Sequence, residues 1–285
     1  EQTAMTGTVV TYRLRLALRD VAKALGAEMQ LDNLLPVIIS KTTEVIDAER
    51  SSLFIYDEDT NEMWSKVAEG MDSKEIRFPV GVGIAGDVAK TLKTVNIPDA
   101  YKDDRFNPAF DKETNYRTKS ILCMPMLNNE GALVGVVQVL NKKDGSTFDD
   151  KDESLLEALS VQAGVAIQRA RLLEAFVEKQ RIQESLKLAA DIQMGMLPKD
   201  FPAFPDRDDF DLFASIIPAK EVGGDFYDFF LIDDDHLCFV IGDVSGKGVP
   251  AALFMAVTKT HVAASTIPGK DPSDILIRAN DELCK

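Results

Sequence analysis

Cysteine is scarce in this chain of 285 residues: Cys123, Cys238 and Cys284 form an odd, scattered set with no CxxC. That pattern excludes a disulfide framework and a zinc site of ordinary spacing. Histidine is scarcer still. His236 falls in a turn and His261 in a helical stretch, a separation without ligand spacing, and both are read as structural. The lone Trp64 lies in a strand-like stretch and is read as core. Basic residues are outnumbered, 32 Lys and Arg against 47 Asp and Glu, for a net charge of −15. A phosphate-backbone partner requires Lys and Arg gathered on one face, so nucleic acid is excluded. No apolar run reaches the roughly 18 residues of a membrane span, and no secretory signal is present. The expectation is a soluble cytoplasmic protein with no membrane partner. What is present is 45% hydrophobic residues, enough for real cores, in a length that suggests about two domains.

The most specific stretch is Glu221 to Pro250, EVGGDFYDFFLIDDDHLCFVIGDVSGKGVP. Two Gly-Asp pairs, Gly224-Asp225 and Gly242-Asp243, each adjoin an apolar run of strand character. Asp233-Asp234-Asp235 between them predicts a hairpin turn. Pairing the strands brings Asp225 and Asp243 together at one sheet end. Two close carboxylates repel unless a cation or a shared proton intervenes, and hard divalent ions take such oxygen ligands. An isolated Gly-Asp reads as a turn. Two at this spacing, followed by Ser245-Gly246-Lys247-Gly248 and a helix, are far more specific.

These residues, with Ala190-Asp191-Ile192-Gln193 and Leu197-Pro198 before them and Pro250-Ala251-Ala252-Leu253 after, resemble the PPM (protein phosphatase 2C-like) metal-dependent phosphatases of the SpoIIE type, over about Leu188 to Lys285. The resemblance implies Asp225 and Asp243 as catalytic metal ligands, with the Val244 carbonyl as a third, for Mn²⁺ or Mg²⁺. It implies further aspartates from the second half of such a domain. Lys285 comes before that half, so a partly built metal site and no turnover by these residues are expected.

Taken in order, Tyr12 to Leu25 has apolar residues at helical spacing, and Leu31 to Ile46 predicts a second helix. Ser52 to Tyr56, Met63 to Ala68 and Ile76 to Val80 predict strands. Gly81-Val82-Gly83-Ile84-Ala85-Gly86 opens a helix through Leu92. Its GxGxxG lacks the parallel strand-turn-helix context of a dinucleotide fingerprint, but a helix start offering bare amides suits a phosphate. Asn96 to Thr118 is long and polar, either a disordered insertion or a lid over a ligand. Ser120 to Leu127 and Ala132 to Leu140 predict a hairpin turned at Asn128 to Gly131.

Gly83-Ile84-Ala85-Gly86, Asn96-Ile97-Pro98-Asp99-Ala100-Tyr101, Arg105-Phe106-Asn107, Tyr116-Arg117-Thr118 and Ile121 to Met126 resemble a GAF domain of the cyclic-nucleotide-binding class found in phosphodiesterases and adenylyl cyclases, over about Leu31 to Ala170. Asn141-Lys142, Phe148 and Asp152-Glu153 match the class motif, which implies a Lys–Asp brace beneath the pocket. The ligand positions implied are Ser52, Glu69, Ile84, Ala85, Asn107, Asp111, Thr114, Thr118 and Gln138. By the same resemblance the Ile84 and Ala85 amides and the Thr114 and Thr118 hydroxyls hold phosphate and ribose, and Glu69 or Gln138 reads the purine. The regulatory ligand expected is a cyclic nucleotide, cAMP slightly ahead of cGMP.

Asp149 to Leu197 is helical in pattern and free of Pro, a rod of about 70 Å. Leu155, Leu159, Val165, Ala166, Ala170, Leu173 and Val177, then Ile182, Leu186, Ala189 and Met196, predict a coiled-coil seam that breaks near Glu178 to Arg181. Beyond it, Phe210 to Ile217, Pro250 to Ala264 and Asp271 to Leu283 predict a strand and two helices.

The expected fold class is α/β (α+β): an N-terminal helix (1–28), a GAF sensor with a central antiparallel sheet (29–150), a coiled-coil linker helix (151–197) and a partial PPM phosphatase α/β sandwich (198–285). The expected function is a bacterial, cyclic-nucleotide-regulated phosphoserine/phosphothreonine phosphatase, homodimeric through the linker helix. Its expected substrate is a phosphorylated protein of the anti-sigma-antagonist kind. The alternative is a non-catalytic cyclic-nucleotide-binding dimerisation module.

Overall fold

A computed structural model describes residues 19–65, 76–218 and 220–285. The chain divides into two compact units, Glu1–Phe176 and Val177–Lys285.

The first unit begins with helical residues 19–27 (α1); the part of the expected first helix before residue 19 lies outside the described residues. Next comes α2 (Leu31–Ile46), whose buried Leu34, Leu35, Ile38, Ile39 and Ile46 recur every three or four residues on one stripe. Asp47 ends it in the left-handed region, φ 56°. There follow β1 (Ala48–Asp57), β2 (Glu62–Ser65), β3 (Ile76–Pro79), α3 (Gly83–Thr91), β4 (Val95–Ile97), a 3-10 turn at Ala100–Lys102, α4 (Ala109–Thr114), β5 (Ile121–Leu127) and β6 (Leu133–Lys142). The strands form one antiparallel sheet in the order β3-β2-β1-β6-β5-β4. The β5–β6 turn is closed by the Asn128 carboxamide oxygen, which accepts from the amides of Glu130 at 2.9 Å and Ala132 at 2.8 Å.

Strand alternation divides the core. Leu53, Ile55, Leu122, Met124, Val137 and Val139 face one side, where α1, α2 and the long helix α5 (Asp150–Gly195) cover them. Phe54, Ile121, Cys123 and Val136 face the other, with Ile84, Ala85, Val88 and Ala89 of α3. Side chains two apart share a face of a strand, so the two layers are a direct consequence of these apolar runs. Deep burial pushes the Cys123 thiol above its usual range, which leaves it a packing residue.

Three expectations need correction. Asn96 to Thr118 is no disordered insertion: it carries β4, the 3-10 turn and α4, because Asp99, Asp103 and Asn107 each accept a backbone amide two residues on and so hold successive turns. The coiled-coil seam does not run the length of α5. Leu159, Ala166 and Ala170 lie in the first unit's own core together with Leu156 and Ile167, so that half of the stripe has its partner within the chain. Beyond residue 170 the exposed large apolar positions are Leu172, Leu173, Phe176, Val177, Ile182, Leu188, Ile192 and Met196. Phe210 to Ile217 forms no strand, because no described neighbour offers it a ladder.

The second unit holds the end of α5, β7 (Phe226–Leu231), β8 (Leu237–Gly242), α6 (Val249–Ser265) and α7 (Pro272–Leu283). β7 and β8 pair antiparallel as a two-stranded sheet. The buried cluster is small, Leu197, Phe226 and Met255. Lys259 of α6 donates to Asp228 of β7 at 2.6 Å with both side chains largely buried, fixing helix to hairpin. Among the described residues no helix is long and apolar enough to cross a membrane.

Candidate functional site

The first unit encloses a cavity of about 510 Å³ on the α3 side of its sheet. Alternate residues of β1 supply Arg50, Ser52 and Phe54, β6 supplies Gln138 and Leu140, and β5 supplies Ile121. Register places Ser52 opposite Gln138 and Arg50 opposite Leu140. The start of α3 contributes Gly83, Ile84 and Ala85; the segment through α4 contributes Asp104 to Pro108, Phe110, Asp111, Thr114, Tyr116 and Thr118. The expected ligand residues Ser52, Ile84, Ala85, Asn107, Asp111, Thr114, Thr118 and Gln138 all line this one cavity. Glu69 lies outside the described residues.

α3 presents an anion-ready end. Its first residue has φ +67°, which glycine adopts without strain, and Val82 before it provides no side-chain cap. The amides of the first turn have no partner within the helix, and the helix dipole is positive there.

The wall opposite is held by Asp111, a buried carboxylate. It accepts from the Thr118 amide and hydroxyl, both at 2.7 Å, and from the Tyr101 hydroxyl at 2.9 Å. The Thr114 hydroxyl donates to the Phe110 carbonyl at 2.7 Å. Both threonine protons are therefore given to internal acceptors. In this arrangement what each hydroxyl offers the cavity is a lone pair. Tyr116 donates to Glu49 at 2.8 Å and accepts from the Asn141 amide at 2.9 Å. Burial, and then the Glu49 carboxylate, push its phenol above the usual range.

Beneath the pocket Asn141, at φ 50°, accepts from the amides of Lys119 and Ser120 at 2.7 and 3.1 Å. Lys142 donates to both oxygens of Asp152 at 2.9 Å, which is the implied brace. Asp152 also accepts from the Asp149 amide while Asp149 accepts from that of Asp152, a reciprocal cap that starts α5.

Sequence reasoning missed the cavity's arginines and its aromatic lining. Arg50, Arg77 and Arg105 border it, with Phe54, Phe78, Phe106, Phe110 and Tyr116. Arg105 donates to Asp103 at 2.7 Å and Asp87 at 2.5 Å. The signal for Arg50 was available: it stands two residues before Ser52 in a strand, hence on the same face.

The second unit brings Asp225 and Asp243 together. Phe226 pairs with Gly242, so the residue before β7 and the residue after β8 meet at one end of the hairpin. The hydrogen bond and charge of Asp243 raise the Asp225 carboxyl above its usual range. A Cβ on Gly224 would lie 2.5 Å from the Val244 carbonyl oxygen, so this approach requires glycine. Two carboxylates and a nearby carbonyl are the oxygen donors a hard divalent ion takes. Among the described residues no third acid, His or Cys completes a metal-holding group.

Residues 30–167 match the family model described as GAF domain, and residues 233–285 match that of stage II sporulation protein E (SpoIIE). Asp243 lies within the second match and Asp225 outside it. The chain is 38% identical over 168 residues to the dual 3',5'-cyclic-AMP and -GMP phosphodiesterase 11A of Takifugu rubripes, covering 55% of this chain and 19% of that protein. It is 36% identical over 191 residues to the cGMP-specific 3',5'-cyclic phosphodiesterase of Drosophila melanogaster, covering 61% of this chain and 17% of that protein. The chain thus spans about a fifth of the length of these curated relatives. Among solved structures, the GAF domain of a phosphoenolpyruvate-protein phosphotransferase from Coxiella burnetii superposes with a TM-score of 0.51 at 22% identity, covering 57% of this chain and 96% of that one. That likeness concerns the fold.

Proposed function

We propose that this chain, a GAF domain at residues 30–167 joined to a SpoIIE-type segment at 233–285, is the sensing part of a bacterial cytoplasmic signalling phosphatase whose first unit binds a cyclic purine nucleotide. The observation that carries the reading is the cavity. It gathers Ser52, Ile84, Ala85, Asn107, Asp111, Thr114, Thr118 and Gln138 around an uncapped helix start, and relatives of the chain are named as acting on cyclic AMP and cyclic GMP. The first-turn amides of α3 take the singly charged phosphate, Thr114 or Thr118 accepts from the one free ribose hydroxyl, the 2'-OH, and Ser52 and Gln138 face the base. The test is thermal unfolding of residues 1–285 with cAMP, cGMP and 5'-AMP. Either cyclic nucleotide should raise the midpoint, by RT ln(1 + [L]/Kd) in free energy, and 5'-AMP should not. No shift with either at millimolar concentration would reject the reading.

Asp225, Asp243 and the Val244 carbonyl are the residues that would hold Mn²⁺ or Mg²⁺ in the intact protein. Such a pair of ions supplies an activated water for in-line attack on phosphorus. The chain's own part is to hold the two carboxylates together at the end of β7 and β8, with Lys259–Asp228 anchoring the hairpin to α6. The substrate is a phosphoserine or phosphothreonine on a small regulatory protein of the anti-sigma-antagonist kind. Asp243→Asn in the intact protein should abolish metal-dependent turnover, and full activity in that variant would remove the assignment.

The second reading, a binding and dimerisation module without activity, is favoured by the lack of a third metal ligand among the described residues. In both readings the exposed apolar residues Leu172, Phe176, Ile182, Leu188 and Ile192 of α5 pair two copies. Leu172→Asp with Phe176→Asp should halve the particle mass by light scattering.

A further inference from the structure

We infer that Gln193, in the last turn of α5, is a positioning residue for the two-carboxylate site of the second unit, an inference that rests on the metal-site reading above. Its side chain is buried, 9% exposed, and grips one backbone unit at two points. The carboxamide nitrogen donates to the Gly223 carbonyl at 2.5 Å, and the carboxamide oxygen accepts from the Gly223 amide at 3.2 Å. Its neighbours Ile192 and Met196 are apolar and exposed, while the polar side chain is the one turned inward. A buried carboxamide costs free energy unless its hydrogen bonds are made. The chain thus breaks its apolar-in pattern at the residue that reaches Gly223, and such breaks gather at functional sites.

The turn that Gln193 holds cannot fix itself. Gly223 and Gly224 have no side chains and more backbone freedom than any other residue type, yet Asp225 follows them directly. Two outside contacts remove that freedom. On one side Gln193 fixes Gly223. On the other the Val244 amide donates to the Gly224 carbonyl at 3.3 Å, and a Cβ on Gly224 would clash with the Val244 carbonyl oxygen. Val244 follows Asp243, so this second contact sets Asp225 against Asp243, and Gln193 keeps the glycines in the conformation that makes it. The end of α5 is itself anchored. Leu197 clusters with Phe226 and Met255, and the Tyr227 hydroxyl donates to the Pro198 carbonyl at 2.7 Å. Packing already joins this end of the helix to β7; what the two polar bonds add is the conformation of the glycine turn.

The test is Mn²⁺ titration of residues 1–285, read by electron paramagnetic resonance, for the natural chain, Asp243→Asn and Gln193→Met. Asp243→Asn reports the background from the chain's other acids. Gln193→Met keeps the length of the side chain and its helix preference and removes both bonds to Gly223. The natural chain should bind Mn²⁺ above the background. Gln193→Met should bind it about tenfold more weakly, equivalent to about 1.4 kcal/mol, with helix content unchanged and faster hydrogen exchange at Gly223 to Asp225. Equal Mn²⁺ affinity in Gln193→Met would overturn the inference. So would a lowered unfolding midpoint with Mn²⁺ affinity intact, which would make Gln193 a packing residue only. Should Gln193→Met fail to fold, Gln193→Asn, one methylene short of Gly223, should show the same weakening, and equal affinity there would overturn the inference. Mn²⁺ binding no tighter in the natural chain than in Asp243→Asn would reject the metal-site reading itself, a different failure.

Discussion

The two units solve the same problem, placing carboxylates and amides at the edge of a sheet, with opposite degrees of closure. In the first, six strands carry an apolar layer on each face, and the buried Asp111 has three donors. In the second, a two-stranded sheet leaves Phe239 71% and Ile241 85% exposed, and Asp225 and Asp243 face one another, the hydrogen bond and charge of Asp243 raising the Asp225 carboxyl. A closed sheet can fix neutral donors around a ligand, because every buried side-chain nitrogen and oxygen of the first unit's described residues has a hydrogen-bond partner. An open hairpin can only bring two like charges together, and their mutual repulsion makes an added cation the natural complement.

That contrast is broken or sharpened first by stability. Leu156→Ala removes a fully buried side chain from the first unit's core and should cost about 2–5 kcal/mol in urea unfolding. Ile241→Ala, on the open hairpin, should stay within about 0.5 kcal/mol. Similar costs at both positions would mean that the second unit is as closed as the first.

Thr118→Val comes next. It keeps the shape and removes the hydroxyl that donates to Asp111, leaving a buried carboxylate one donor short. The first unit should lose about 1–3 kcal/mol, whereas Asp234→Asn, in the exposed turn of the second, should be silent.

The smallest effect is with pH. Burial and Glu49 raise the Tyr116 phenol. For Lys142 burial is the largest single effect and acts the other way, but the Asp152 hydrogen bond and the charges of Asp152, Asp144 and Asp149 together outweigh it, and the ammonium is also raised. A raised group contributes stability that is complete below its unfolded value and lost as pH climbs through its folded one. The first unit should therefore hold its stability up to about pH 10 and lose it above, and Tyr116→Phe should flatten part of that decline in alkaline melts.

Much of this was legible in the sequence, for physical reasons. The β5–β6 and β7–β8 hairpins announced themselves because strand alternation and turn residues are local signals. The cavity residues were legible through motif resemblance, since a pocket assembled from β1, α3, α4 and β6 leaves no periodic trace. What stayed hidden were contacts made at long range. That Leu159 and Ala170 face α2 and the sheet, and not a second helix, depends on packing that a heptad pattern does not encode. That Thr114 and Thr118 donate inward depends on Phe110 and Asp111 being turned towards them.

The most direct test of the central claim is hydrogen exchange of residues 1–285 with and without saturating cyclic nucleotide. The account predicts slowed exchange at Gly83–Ala85 and across α4 to Thr118, with β7 and β8 unchanged. Unaltered exchange at the start of α3, or protection confined to the second unit, would contradict it.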